Sequence, residues 1–121
     1  MKLDLMLPVK WRRLIRKRDL IAGQVEVRRV QRHLVGVVKV GEQIYVFDGR
    51  CPHAGRSLQG CEVTARGLMK CPGHGFQLSL IRQPCSVNAI PLTSLMFRVR
   101  DGIIEIDGSA LRRKRSQGRP M

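Results

Sequence analysis

A chain of 121 residues with 23 lysines and arginines against 9 acidic residues carries a formal net charge of +14. Its length suits one small domain, and its 43% apolar content argues against wholesale disorder. No apolar run approaches the roughly 18 residues that cross a bilayer, and the opening MKLDLMLPVK lacks the apolar core and cleavage site of a secretory signal, so a cytoplasmic protein without a membrane span is expected.

Residues 1–9 form a short lead, and one domain is expected from 10 to 108. Residues 10–18 are Arg-rich but lack the Ser enrichment of a transit peptide. Within them, WRRLIR at 11–16 alternates well enough for a strand, and 19–23 reads as a turn or short helix. A period of two then takes over. In QVEVRRV at 24–30, Val25 and Val27 share one face and Glu26 and Arg28 the other, and HLVGVVKV at 33–40 continues as a second strand. Gly41-Glu42 supplies a turn into QIYVF at 43–47, which Asp48-Gly49 closes.

Beyond the first 60 residues, RGLMK at 66–70 leads into a second loop. Phe76, Leu78 and Leu80 then point one way and Gln77 and Ser79 the other, and Pro84 and Pro91 mark a loop between them. LMFRVR at 95–100 places Leu95, Phe97 and Val99 on one face. Asp101-Gly102 suits a type I′ turn, where both central residues need positive φ, and IIEI at 103–106 returns. From Ser109 the composition turns basic and aperiodic, so 109–121 reads as a disordered tail. No long amphipathic helix is present, and short strands with tight turns make the fold class all-β, a small sandwich or barrel.

The chemistry concentrates in 51–76, CPHAGRSLQGCEVTARGLMKCPGHGF. Two short loops, Cys51-Pro-His53 and Cys71-Pro-Gly-His74, each pair one thiol with one imidazole. Thiolates suit iron–sulfur clusters and zinc, and neutral imidazole suits zinc, copper and iron. Pro52 and Pro72 follow each Cys, while Gly55, Gly73 and Gly75 allow sharp turns that can aim backbone N–H groups at a bound anion. A closed zinc site is the structural alternative, but the Cys-x-His spacing is shorter than zinc-finger spacing and each loop mixes its donors. A catalytic Cys-His dyad lacks an orienting carboxylate or an oxyanion site. His33 sits in a strand-like run and reads as a surface or packed residue, Trp11 and Tyr45 as packing residues, and Cys61 and Cys85 as small, at least partly buried side chains.

Cys-Pro-His-x-Gly-x-x-Leu at 51–58 with Cys-Pro-x-His-Gly-Phe at 71–76 resembles the Rieske [2Fe–2S] ferredoxin family, and the strand pattern extends the likeness over roughly 10–108. The resemblance implies a β-sandwich base with an inserted cluster-binding subdomain and one [2Fe–2S] cluster per chain. It implies that Cys51 and Cys71 ligate the inner iron and His53 and His74 the outer one, the two-His substitution that marks Rieske centres. Gly55, Leu58, Gly75 and Phe76 would surround these ligands, with Leu58 packed beneath the cluster. The cytochrome bc type carries an extra Cys in each loop, and here Arg56 and Gly73 stand there. It also places hydroxyls where this chain has Phe76 and Leu78. Fewer donors to sulfur leave the reduced state less stabilised and imply a low potential. Members of this soluble, low-potential type carry electrons from a flavin reductase to a terminal oxygenase, as in ring-hydroxylating oxygenase systems, or serve as small redox subunits of oxidoreductase complexes.

An oxygenase proper needs a further iron site with two His and a carboxylate, and His33 is the one His left over. The chain therefore reads as an electron carrier and not as an enzyme. Basic runs at 10–18, 28–32 and 112–119 favour redox partners with acidic docking faces. A zinc-stabilised nucleic-acid-binding module is the remaining reading, weakened by scarce aromatics and the lack of a known binding motif.

Overall fold

The computed structural model describes residues 9–52, 55–70, 77–81, 89–109 and 111. Their strands in chain order are β1 (Trp11–Arg16), β2 (Glu26–Val30), β3 (His33–Val40), β4 (Gln43–Asp48), β5 (Leu68–Lys70), β6 (Gln77–Ser79), β7 (Ile90–Pro91), β8 (Phe97–Arg100) and β9 (Ile103–Asp107). A single 3-10 turn, Lys17–Asp19, falls just ahead of the turn expected at 19–23. Three three-stranded sheets result, with orders β1-β9-β8, β2-β3-β4 and β5-β6-β7. Because β5 to β7 fall between β4 and β8 in the chain, the third sheet is an insertion into the frame made by the other two.

The β2-β3-β4 sheet is the middle layer, and its alternation feeds two cores. Val25, Val38 and Phe47 pack on one side with Cys51, Leu58, Met69 and Leu78. Val30, Val35, Val37 and Val46 pack on the other with Leu14, Ile15, Ile104 and Ile106. A strand covered on both faces needs apolar residues at successive positions, which is why Leu34-Val35-Gly36-Val37-Val38 reads as a continuous apolar run. Gly36 belongs to this logic. A Cβ there would lie 2.5 Å from Cε2 of Phe47, the residue opposite it in the β3–β4 register.

The hairpin expected at Asp101-Gly102 forms, with φ of +52° and +75°, and β8 pairs with β9 across it. The β1–β9 ladder shifts register between Arg13 and Ile15, so adjacent Leu14 and Ile15 are both buried. Trp11 is half-buried beneath the Arg98 guanidinium, 4.3 Å from the ring centroid, and Arg98 also pairs with Glu105 at 2.6 Å.

Four expectations need correction. Ser79, placed on the polar face of its strand, is buried, because its hydroxyl is satisfied locally: it donates to the Ile81 carbonyl and accepts from the Ile81 N–H. Pro91 ends a strand instead of bounding a loop. It pairs parallel with Ser79, and β7 is a sheet edge, where a missing N–H is tolerated. Val99, read on one face with Leu95 and Phe97, is exposed on β8, an edge strand of its sheet. Leu111, assigned to the tail, is 2% exposed and packs in the core with Ile104 and Ile106, so packed chain reaches at least that residue. Residues 112–121 lie outside the described residues. Among the described residues, no helix is long and apolar enough to cross a membrane.

Candidate metal centre

The first loop begins where β4 ends. Asp48 accepts a hydrogen bond from the Arg50 N–H at 3.2 Å, a side-chain turn that bends the chain out of the strand. Gly49 donates to the Leu34 carbonyl at 2.9 Å and accepts from Leu58 N–H at 2.9 Å, tying the start and the end of the loop to β3. Arg50 and Ser57 then form a bridge that closes positions 51–56. Inside it, the Cys51 N–H donates to the Arg56 carbonyl and the Gly55 N–H to the Cys51 carbonyl, both at 2.7 Å. Gly55 makes this ring possible with φ +73°, a conformation that side-chain-bearing residues rarely adopt.

The base of the second loop is also closed by a strand pair. Lys70, the last residue of β5, pairs with Gln77, the first of β6, so the chain leaves and re-enters the sheet at adjacent positions. Six positions, 71–76, lie between that pair, as six lie between Arg50 and Ser57. In both loops the Cys is the first residue past the closing pair, directly after a basic residue. Behind the pair, Met69 faces Leu78 in register, and both pack in the core that holds Cys51 and Leu58. The two loops therefore spring from one apolar floor.

Of the expected site, Cys51, Gly55 and Leu58 fall among the described residues. His53, Cys71, His74, Gly75 and Phe76 lie outside them. Among the described residues, no group of three His, Cys, Asp or Glu side chains is gathered to hold a metal. Cys51 is 1% exposed, and Leu58 and Leu78 are fully buried. A sulfur so placed suits a ligand shielded from water, on the inner side of a metal centre. The remaining donor set of one thiol and two imidazoles suits an iron–sulfur cluster with a polar outer edge. The residues present thus fit such a group.

The other candidate side chains stand apart. Half-buried His33 lies in β3 and pairs with Val30, and half-buried Tyr45 packs against the core that holds Cys51. Cys61 is half-buried, with its sulfur 3.8 Å from the Lys70 carbonyl oxygen, and Cys85 lies outside the described residues. Asp48, expected to close the strand at 43–47, also bends the chain into the loop, and Asp-Gly-Arg ahead of Cys51 carries the signal of that side-chain turn.

The family model for the Rieske [2Fe-2S] domain matches residues 10–99. The chain is 36% identical over 62 residues to the alkene monooxygenase system ferredoxin component of Xanthobacter autotrophicus. That match covers 51% of this chain and 51% of the relative, so it spans about half the relative's length. The fold is similar to the ferredoxin of carbazole 1,9a-dioxygenase from Nocardioides aromaticivorans, with a TM-score of 0.65 at 21% identity over 80% of this chain and 96% of that one. It is also similar to a chain in a complex of reduced oxygenase and oxidised ferredoxin in carbazole 1,9a-dioxygenase, with a TM-score of 0.64 at 24% identity over 81% and 93% of the two chains. With its all-β frame, its inserted third sheet and a family match that spans most of its length, the chain belongs to the Rieske [2Fe-2S] domain family.

Proposed function

We propose that this protein is a single-electron carrier that holds one [2Fe–2S] cluster through the thiolates of Cys51 and Cys71 and the imidazoles of His53 and His74. When bound, the cluster supplies a one-electron redox couple, raised relative to all-thiolate centres because two ligands are neutral. The chain's part is to hold the site still and partly dry. The hydrogen bonds around Cys51 fix the first loop, the Lys70–Gln77 pair fixes the base of the second, and Leu58 and Leu78 exclude water from the inner side. The observation that carries this reading is the buried Cys51 directly past the Arg50–Ser57 pair, matched in sequence by Cys71 directly past the Lys70–Gln77 pair, in a chain of the Rieske family.

A terminal oxygenase is the electron acceptor this reading favours and a flavin reductase the donor, with acidic faces that match a carrier of net charge +14. The complex of an oxygenase with a ferredoxin and the alkene monooxygenase relative support that choice. The cytoplasm is the proposed compartment, since it keeps cysteine thiols reduced and available as ligands. Metal and sulfide analysis of the purified protein tests the reading. Iron and acid-labile sulfide in equal amounts, with one-electron reduction and reoxidation, are expected. A colourless protein with one zinc would refute the carrier.

A further inference from the structure

A second site lies away from the loops. A cleft of about 770 Å³ is lined by Arg13, Arg16, Lys17, Arg18 and Lys39, with Asp101 as the one carboxylate among the described lining residues. These cations come from three parts of the chain, and the fold brings them together deliberately. In a regular strand Arg13 and Arg16 would face opposite ways. The register shift in β1 sets Arg13 against Glu105 and Arg16 against Ile103, two residues apart on β9, so both arginines reach one face. The Lys17 N–H donates to the Gly102 carbonyl at 2.8 Å, which pins the 3-10 turn to the β8–β9 hairpin. The Gly23 N–H donates to the Lys39 carbonyl at 2.8 Å, which holds the end of β3 beside it.

Among the described residues, the ion pairs are Arg28–Glu26 and Arg98–Glu105. None of the five cleft cations takes part in either, and the carboxylate of Glu105 is engaged by Arg98. Like charges held close repel, so five cations faced by the single Asp101 carboxylate among the described lining residues raise the free energy of the bare cleft and favour an anion within it. We propose that this cleft binds a compact oligophosphate. Among the described lining residues Ile103 is the one apolar side chain and none is aromatic, so none of them would stack on a nucleobase or seat an apolar peptide anchor. Three guanidinium forks offer paired N–H groups to phosphate oxygens, and the lysines add point charge. A phosphate chain brings several negative charges into the space that five clustered cations occupy. An acidic peptide spreads the same charge along its backbone. The position separates the site from electron transfer. Lys39 pairs with Ile44 at one end of the β3–β4 ladder, while Val35 pairs with Asp48 at the end that opens the Cys51 loop, about 13 Å of strand away at about 3.3 Å per residue.

The test is calorimetric titration of the full-length, cluster-loaded protein with inorganic tripolyphosphate, at a salt concentration that sets the Debye length to about 8 Å. Saturable one-to-one binding is expected, with the visible spectrum of the protein unchanged. Arg16→Gln/Arg18→Gln should weaken binding roughly tenfold or more, and the control Arg29→Gln/Arg32→Gln, which removes the same charge from exposed positions outside the cleft, less than about twofold. Both pairs replace exposed side chains, and matching thermal transitions would show that both variants fold. Lys39→Gln alone should also weaken binding, and unchanged affinity in that variant would count against the cleft. Equal losses in the two double variants would overturn the site in favour of diffuse charge. Tighter binding of a hexaglutamate peptide or of a short DNA duplex would overturn the oligophosphate as occupant. None of these outcomes depends on which side chains hold the cluster.

Discussion

Leu58 is the side chain on which the apolar floor of the first loop depends. It is fully buried beside Cys51, Met69 and Leu78, and its N–H closes the loop onto Gly49. Leu58→Ala should destabilise the protein by about 2–5 kcal/mol, the range for a large-to-small change in a packed core. Denaturant unfolding followed by far-UV circular dichroism measures that loss. Iron release should shift to lower denaturant in the same variant, because water would reach the inner side of the site. Unchanged unfolding and iron retention would show that Leu58 does not support the loop. At this scale the sequence was informative where side chains act locally. Cys-Pro-His and Cys-Pro-Gly-His carry their meaning in three or four consecutive residues. Ser79 was not legible in this way, because its hydroxyl is satisfied by its own neighbour two residues on, which alternation alone does not report.

Turns and the longer alternating strands could be read ahead of the structure, and the pairing of strands distant in the chain could not. Asp101-Gly102 announces its hairpin because positive φ at two successive residues is a local demand. β7 is two residues long and pairs parallel with β6 across a stretch of about ten residues, and nothing at Ile90-Pro91 declares that partner. The bulge in β1 is equally silent, since Leu14 and Ile15 show two adjacent apolar residues without saying that both turn inward. The middle sheet offers a test of how tightly its layers meet. Gly36→Ala would set a Cβ 2.5 Å from the Phe47 ring, and Phe47 is 2% exposed, with little room to yield. The substitution should cost about 1–3 kcal/mol of stability, the usual range for overpacking. The double variant Gly36→Ala/Phe47→Leu should recover part of that loss in thermal denaturation. Additive losses would show that the two residues do not compete for the same space.

For the whole molecule, the layers and the charge serve different ends. Two sheets make a frame with its own core, the third sheet bases the second loop on a second core, and β2-β3-β4, which leads into the first loop, is shared by both cores. The layer count was not visible in the sequence, because Leu34-Val35-Gly36-Val37-Val38 shows burial on both faces without naming the covering sheets. The net charge of +14 should act over distance. Electron transfer to an acidic acceptor should slow as salt shortens the Debye length below about 10 Å, and stopped-flow rates across a salt series measure this. A rate independent of salt would exclude charge steering. Leu78, fully buried beside Cys51 without a hydroxyl to offer, supports a reduction potential near the lower end of the roughly −150 to +300 mV Rieske range. A midpoint well above zero in a redox titration would contradict that.

The central claim is that two imidazoles and two thiolates share one cluster, and pulsed EPR of the reduced protein labelled with ¹⁵N-histidine addresses it directly. His33→Gln removes the one histidine outside the two motifs and leaves His53 and His74. Two strong ¹⁵N couplings are expected in that variant, equal to those of the unaltered protein. No nitrogen coupling, or a single one, would contradict it.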